Sequence, residues 1–347
     1  MGHEVVGNLH MHTPYSDGEA YHADIAAAAA MAGLDFIAVT DHNLWVKGPE
    51  GYHDGVLVLV GEEVHYPRRW PQVNHLLVYG AEAEMSQCAP DPQRLIEAVR
   101  ERGGLAFIAH PFDYAVKFIH EPGIPWVDWD VDGYHGLEIW NYMSEFKTRL
   151  PNRLMALWYA YKPHLAIRGP YQATLNAWDQ LLASGRRITG FGNADAHATP
   201  MSLGPIRRVI FPYEYLFRCV NTHLLLDDGL TGDVEHDKRA IYDALAFGRG
   251  WVGYDLLGPT QGFRFSARSA SEYAEIGYEI RRVGAVNFEV EVPLPATIQV
   301  VKAGRGPIAR VKGKRGLRFT SVEAGAYRVE AYRKGRGWIF SNPIYVL

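Results

Sequence analysis

The feature that most constrains the fold is a series of seven short apolar runs within the first 200 residues. Each run has four or five residues, which is typical of a strand buried on both faces. Helical stretches separate several runs, and this alternation predicts parallel strands joined by crossover helices. Seven such strands in so short a chain favour a barrel over an open sheet. The predicted strands are 5–9, 36–39, 56–60, 75–78, 105–109, 137–140 and 188–191.

Helix-end signals support this alternation. Residues 20–33 are rich in alanine and end on a glycine, residues 91–102 begin with Asp-Pro, and residues 173–184 are followed by Gly185. Further along the chain, 213–226 and 237–247 are predicted helices and 251–254 is a predicted strand.

The texture of the sequence changes after Gly262. Apolar and polar residues alternate between turns rich in Gly, Pro and Lys, which predicts antiparallel strands in a small β-sandwich. We therefore expect two domains, an α/β barrel with a helical extension over 1–258 and a β-sandwich over 259–347. The predicted C-terminal strands are 286–292, 297–301, 317–319, 327–332 and 339–346.

Histidines and carboxylates stand at the ends of most predicted strands of the first domain. His10 and His12 are two residues apart, so period-2 geometry points both rings to one side. Glu62 and Glu63 are adjacent and point to opposite faces, so only one of them can face the same centre. A buried ring of imidazoles and carboxylates is costly unless it is paired or binds metal. The other candidate ligands are Asp17, His42, His75, His110, Asp195 and His197.

This donor set predicts the kind of metal. Imidazole and carboxylate without thiolate favour Zn²⁺, Mn²⁺ or Fe. Nine donors exceed the needs of one ion, so we expect two or three divalent ions.

The charge distribution agrees with a metal site in the first domain. Residues 262–347 contain 15 Lys and Arg against 7 Asp and Glu, whereas the rest of the chain is acidic and contains all 15 histidines. Chance surface composition remains the alternative explanation. We interpret the basic C-terminal part as a solvated rim or docking surface and do not expect nucleic acid as a partner.

Other sequence features limit the class of protein. No stretch approaches the roughly 18 apolar residues of a membrane span, and we expect no signal peptide. Two cysteines, Cys88 and Cys219, favour a reducing compartment, so we expect a cytoplasmic enzyme of undetermined oligomeric state.

Five motifs together resemble the PHP (polymerase and histidinol phosphatase) superfamily over about residues 5–200: His10-x-His12 with Ser16-Asp17-Gly18, Thr40-Asp41-His42, Gly61-x-Glu63, His110-Pro111 and Asp195-x-His197. The resemblance implies a distorted (β/α)7 TIM-like barrel with a di- or trinuclear metal site at the carboxyl ends of its strands. It selects Glu63 over Glu62. The implied ligands are His10, His12, Asp17, His42, Glu63, His75, His110, Asp195 and His197.

A second, less specific resemblance points to the branch that includes carbaryl-hydrolase-type metallohydrolases. It rests on residues 137–141, 340–344 and the appended β domain.

The superfamily resemblance implies hydrolysis, often of phosphate esters, by a hydroxide that bridges metal ions. The alternatives are hydrolysis of carbamate or carboxyl esters at the same site and a metal-binding scaffold without catalysis. The expected partner is a small-molecule ester.

Specific roles can be assigned to a few residues. We expect Asp41, Glu63 and His197 to take part in catalysis, with Asp41 orienting an imidazole or handling a proton; an N-cap role for Asp41 fits equally well. Arg168 and Arg68 are candidate substrate-binding residues because guanidinium groups suit phosphate oxygens.

Other residues keep two interpretations. Arg69, Lys147 and Arg149 are further candidates for substrate binding, and a solvated surface position is the alternative for each. Glu138 is either a partner of a ligand or a buried carboxylate paired with Arg.

Overall fold

A computed structural model describes residues 2–203 and 206–347 and shows a mixed α/β protein with one large sheet. The described helices are α1 His22–Ala32, α2 Pro92–Glu101, α3 Tyr142–Thr148, α4 Arg153–Tyr161, α5 Gln172–Ala183, α6 Tyr213–Leu216 and α7 Val234–Ala246. None of these helices is long and apolar enough to span a membrane.

The strands of the first part of the chain are β1 His3–Asn8, β2 Phe36–Val39, β3 Gly51–His53, β4 Val56–Val64, β5 Leu76–Tyr79, β6 Leu105–Ile108, β7 Gly136–Asn141, β8 Thr189–Asn193, β9 Thr199–Leu203, β10 Ile206–Ile210, β11 Val220–Leu226 and β12 Gly250–Tyr254. The C-terminal strands are β13 Arg264–Arg268, β14 Tyr273–Glu275, β15 Glu279–Ile280, β16 Val286–Lys302, β17 Gly306–Ser321, β18 Gly325–Arg333, β19 Arg336–Ser341 and β20 Ile344–Val346.

The seven predicted strands and four of the predicted helices are confirmed with small shifts at their ends. Helix α2 shows the local cause, because the Asp91 side chain accepts a hydrogen bond from the amide of Arg94 and Pro92 occupies the first turn. Helix α1 ends at Gly33, whose φ of 81° lies in the left-handed region that favours glycine.

One of the seven strands runs against the predicted direction. Strands β1, β2 and β4 are parallel neighbours, and so are β6, β7 and β8, but β5 pairs antiparallel with both β4 and β6. The expectation of uniformly parallel strands was therefore wrong. No α-helix separates β4 from β5, so the chain turns back through residues 65–75 without a crossover.

The two outer strands of this row, β1 and β8, meet beyond their carboxyl ends. Met11 and Ala196 form an isolated parallel bridge, with the amide of His12 donating to the Ala196 carbonyl at 3.0 Å. This contact brings both ends of the row to one rim. Closure into a complete (β/α)7 barrel stays a prediction.

The predicted helix over 213–226 is wrong. Only Tyr213–Leu216 is helical, and Val220–Leu226 forms strand β11, which pairs antiparallel with β1 and β12. Every residue of β11 is buried. Because both faces are covered, the strand lacks the apolar–polar alternation that would have identified it.

The C-terminal strands are antiparallel as expected, apart from the parallel pairing of β15 with β20. Predicted strands 286–292 and 297–301 belong to one long strand, β16, whose pairing with β17 shifts register between Glu291 and Ala296. An apolar cluster containing Phe288, Ile298 and Trp338 fills this part of the molecule. The division at 258/259 remains a prediction.

The two parts are joined by backbone and side-chain hydrogen bonds. Strand β19 pairs with β12. The Asn342 side chain accepts from the amide of Gly190 at 2.7 Å and donates to the carbonyls of Gly190 and Gly250 at 3.0 and 3.1 Å. The C-terminal sheet is thus attached directly to β8, one of the seven strands.

A buried histidine joins three segments of the fold. His223 on β11 contacts Glu4 at 3.0 Å and Asp255 at 3.2 Å, and its ring stacks on Trp251. The Thr260 hydroxyl lies 2.9 Å from the same ring. Burial lowers the pKa of His223, but Asp255 and Glu4 outweigh burial and raise the pKa to about 9.

We expect His223→Gln to reduce the free energy of unfolding by roughly 2 kcal/mol at pH 6, because a buried charged hydrogen-bond partner is lost. A pKa raised above the unfolded value of 6.5 stabilises the fold fully below pH 6.5 and stops doing so as pH rises through about 9. The difference between mutant and wild type should therefore shrink between pH 6.5 and about 9 and be smallest above pH 9.

Urea unfolding followed by tryptophan fluorescence measures this difference, with exposed His120→Gln as the control. An equal loss of stability at pH 6 and pH 9.5 would contradict a protonated His223.

Candidate metal centre

The predicted ligands come together at one rim of the seven-strand row. Most of these ligands follow the carboxyl ends of parallel strands, and Glu63 is the penultimate residue of strand β4. His75 instead precedes β5, and because β5 runs antiparallel, its amino end lies at the same rim. The reversed strand is thus what brings His75 to the site.

Glu63 lies at the centre of the cluster. One of its oxygens, Oε2, is 3.1 Å from His10 Nε2 and 3.2 Å from both His12 Nε2 and His42 Nδ1. The other, Oε1, is 2.7 Å from His75 Nδ1 and 3.0 Å from His110 Nε2. A single buried carboxylate therefore contacts five imidazoles.

Asp195 and Asp17 extend the cluster toward solvent. Asp195 Oδ1 lies 3.4 Å from both His10 Nε2 and His12 Nε2. Asp17 contacts His197 at 3.3 Å and His42 at 3.6 Å, and its side chain is 54% exposed. The site thus has a closed inner part and an open outer edge.

The donor atoms form four overlapping groups in which all atoms lie within 4.8 Å of one another. Each group has the size and composition of a metal-binding set. The groups are His12, Asp17, His42 and His197; His42, His65 and His75; His10, His12 and Asp195; and His10, Glu63 and His110.

His65 is the one member of these groups that the sequence analysis missed. Its ring stacks on His75 with centroids 4.3 Å apart, and its residue is 8% exposed. Its position two residues after Glu63 was the available signal, since alternate residues of a strand share a face.

Several buried imidazole nitrogens support the assignment to metal. His12 Nε2 and His42 Nδ1 lie 3.2 Å from Glu63 Oε2 but are not aligned for a hydrogen bond with it. His12 Nδ1 and His75 Nε2 likewise make no hydrogen bond within the described residues. A buried polar atom without a partner is costly. Ligation of a divalent ion would satisfy these nitrogens, so the residues fit the group that the donor set implies.

The electrostatics of the cluster reflect a competition between burial and the two carboxylates. Burial opposes charge on Glu63, but His10, His42 and His75 hold its pKa well below the ordinary value. Burial likewise opposes protonation of His12 and His110, yet Glu63 and Asp195 raise both pKa values to about 9. For His42 and His75 burial wins and lowers the pKa, so these two imidazoles are favoured in the neutral form that ligates metal.

A second layer of polar residues orients the inner ligands. Glu138 Oε1 lies 3.0 Å from His10 Nδ1 and accepts from Asn193, while Oε2 accepts from the His110 amide and from Asn141. Of the two interpretations of Glu138, the structure therefore favours the partner of a candidate ligand over the carboxylate paired with Arg. Such contacts fix the ring orientation of a metal ligand.

The loop that carries Asp17 is fixed by Asp41. The Asp41 carboxylate accepts hydrogen bonds from the Thr13 amide and hydroxyl and from the Ser16 hydroxyl, at 2.7–2.8 Å. Gly18 completes the loop, because a Cβ there would lie 2.1 Å from the His12 carbonyl oxygen. Asp41 thus holds a loop, and neither N-caps a described helix nor contacts an imidazole within hydrogen-bonding distance.

Two predicted ligands have unusual backbone conformations. His110 has φ of 25° and Asp195 has φ of 56°, both in the region that disfavours side chains with a Cβ. Such conformations cost about 1–3 kcal/mol each and cluster at functional sites. The surrounding fold stabilises this geometry.

Of the two predicted substrate-binding arginines, Arg168 lies in a cavity apart from the candidate ligands, and a role for Arg68 stays a prediction. Arg68 and Arg168 are exposed, and Arg168 lines a cavity that contains none of the described candidate ligands. Lys147 instead lines a cavity of about 220 Å³ that also contains His110 and Asp195. Among the basic candidates, the geometry therefore favours Lys147.

Comparison with known proteins gives one family match. Residues 8–150 match the PHP domain. The matched segment of this chain contains His10, His12, His42, Glu63 and His110. Asp195 and His197 lie after the matched segment. No curated protein gives a significant match.

Solved structures give remote similarities. A two-domain protein from Bacteroides vulgatus that contains a predicted PHP-like metal-dependent phosphoesterase is 15% identical, with 99% of this chain and 95% of that chain covered and a TM-score of 0.45. The lesion-specific endonuclease EndoQ from Pyrococcus furiosus is 15% identical, with 70% and 56% covered and a TM-score of 0.41.

We expect Glu63→Gln to abolish most metal binding, because it removes the carboxylate that contacts five imidazoles. Glu62→Gln is the matched control. The Glu62 side chain points away and accepts from the Met85 amide at 2.8 Å, and burial raises its pKa to about 7. Elemental analysis of purified protein tests the pair, and equal metal content in both variants would refute the central place of Glu63.

Glu138→Gln should weaken metal affinity by about 10–100-fold, the usual effect of losing a partner that orients a ligand. Competition with a chelator measures this change, with exposed Glu97→Gln as the control. Wild-type affinity in Glu138→Gln would mean that His10 is oriented without it.

Proposed function

We propose that this protein is a metal-dependent hydrolase of the PHP type, built on a distorted (β/α)7 barrel. The observation that carries the proposal is the contact of one buried carboxylate, Glu63, with five imidazoles. The match to the PHP domain supports the same chemistry.

The overlap of the four donor groups supports two or three ions. His10, His12 and His42 each belong to two groups, so these imidazoles would hold an ion in either of two neighbouring groups. With no thiolate in any group, Zn²⁺, Mn²⁺ or Fe are the candidates. When bound, such ions lower the pKa of a water from 15.7 toward about 7 and stabilise negative charge on the attacked group.

The side chains at the outer edge define the side on which substrate binds. His10 and His12 are fully buried, whereas His42 and His197 are each 23% exposed. We therefore place the reacting bond near His197, which is positioned to exchange a proton with the substrate, while Glu63 holds the inner imidazoles. Asp41 acts in this proposal as a positioning residue for the loop of Asp17.

The leading substrate class is a small phosphate ester, because the superfamily resemblance implies it. Hydrolysis of carbamate or carboxyl esters is the second candidate. It is favoured by the cavity beside Asp195, where the only Lys or Arg of the described lining, Lys147, is already held 2.6 Å from Asp113. Such a cavity suits an ester that carries little charge of its own.

Placement in the carbaryl-hydrolase-like branch is part of this proposal. Residues 137–141 supply Glu138 and Asn141 to the second layer of the site, and residues 340–344 include Asn342, which joins the C-terminal sheet to β8. These contacts give physical roles to the two segments that carry the branch resemblance.

Purified protein loaded with Mn²⁺ or Zn²⁺ is expected to hydrolyse 4-nitrophenyl phosphate, and Asp195→Ala should lower kcat/KM by about 100-fold or more. The acetate and a carbamate of the same phenol are assayed in parallel, so that only the attacked group differs. Circular dichroism shows whether Asp195→Ala keeps its fold.

The three proposals give different results in this panel. Turnover of the acetate or carbamate without the phosphate would reverse the order of the first two. Absence of turnover in the metal-loaded protein, with a partner bound through residues 262–347, would favour a scaffold.

A further inference from the structure

The cavity beside the metal cluster continues into a second, apolar cavity. The first has a volume of about 220 Å³ and is lined by His110, Asp195 and Lys147 among others. The second has a volume of about 160 Å³ and lies against helix α4 and strands β9 and β10. Five side chains line both: Ile119, Phe146, Leu150, Met201 and Ile210. A molecule whose reacting bond lies at Asp195 therefore has space to extend into the second cavity.

The lining of the second cavity favours an uncharged, apolar group. Ala156, Leu157 and Ala160 of helix α4 form one wall. The one charged side chain that lines it in the described part of the chain, Arg208, lies over the ring of Tyr161 at 4.5 Å. An apolar wall gains from burial of apolar surface but cannot replace the hydration of a charged group.

The size of the cavity indicates how large this group is. A cavity of about 150 Å³ with aliphatic and aromatic walls holds one benzene molecule. The volume of about 160 Å³ therefore matches a single six-membered ring or an alkyl group of similar bulk.

The first cavity, through which such a molecule passes, has no free Lys or Arg in its described lining. Lys147 donates to Asp113 at 2.6 Å and to the Pro122 carbonyl at 3.3 Å, and Glu121 also lines this cavity. A second anionic group on the substrate would face the Asp113 and Glu121 carboxylates without a free Lys or Arg beside it. The part of the substrate that crosses this region is thus uncharged.

We propose that the second cavity is a specificity subsite that binds an apolar group of about one ring next to the scissile bond. This inference rests on the proposed hydrolase function and narrows its substrate class. The favoured substrates are aryl or bulky alkyl esters, with a preference over the corresponding methyl esters.

Two substitutions that fill the cavity test this subsite in the full-length purified protein. Ala160 lies on helix α4, and Ser202 is an exposed residue of strand β9. Because an exposed position tolerates a larger side chain, Ser202→Phe remains informative if Ala160→Phe fails to fold. Leu154→Phe is the matched control, since Leu154 lies on the same helix, is 80% exposed and lines neither cavity.

Binding of 4-methylphenol, measured by calorimetry, provides a readout that does not depend on turnover. We expect binding to wild type and Leu154→Phe, and affinity at least about 10-fold weaker in the two filled variants. Equal affinity in all four proteins, or no binding to wild type, would overturn the subsite.

Kinetics link the subsite to catalysis. With phenyl and methyl esters of whichever acid the protein cleaves, the phenyl-to-methyl ratio of kcat/KM should fall at least about 10-fold in the filled variants. Phenol and methanol differ as leaving groups, but this difference is the same in every variant. It therefore cancels when the phenyl-to-methyl ratios of kcat/KM are compared between variants. An unchanged ratio would overturn a role in specificity.

The two proposals fail in different ways. If neither wild type nor any variant hydrolyses an ester, the proposed hydrolase function is wrong. Binding of 4-methylphenol still decides whether the cavity accepts an apolar ring.

Discussion

The structure depends on how one buried negative charge is compensated. Glu63 is 1% exposed and would be strongly destabilising in isolation, yet five imidazoles surround it. Those imidazoles come from four different parts of the chain, so compensation requires the strands to end at one place. The same requirement explains the second layer, in which Glu138 contacts His10 and the His110 amide. The negative charge of Glu63 is therefore compensated only when the strand ends that carry the imidazoles meet at one rim.

Much of the fold and site could be predicted because local patterns dictate them. Short apolar runs identified all seven strands, and Asp91-Pro92 marked the start of α2. The nine candidate ligands were found because alternation places His10 with His12 and Asp195 with His197 on one face, and because their motifs resemble those of a superfamily. The structure brings all nine together.

What could not be predicted depends on contacts distant in sequence. The reversed direction of β5 goes with the helix-free connection through residues 65–75, and the regular alternation of the other elements concealed this exception. Strand β11 was mistaken for a helix because both of its faces are covered. His65 was overlooked although it follows Glu63 at strand spacing. Arg168 was chosen for its charge, yet it lines a cavity that contains none of the candidate ligands, and only the fold determines that position.

The bridge between Met11 and Ala196 has a consequence for how the molecule opens. His10 and His12 flank one side of this pairing, and Asp195 and His197 flank the other. The contact between the two outer strands and the donor atoms therefore depends on the same two short segments of backbone, 10–12 and 195–197. Separating the two strands would also separate the donor atoms, so an ion bound at the centre would hold the two strands together. Local opening at the Met11–Ala196 bridge would be slowest in the protein that has bound the ion.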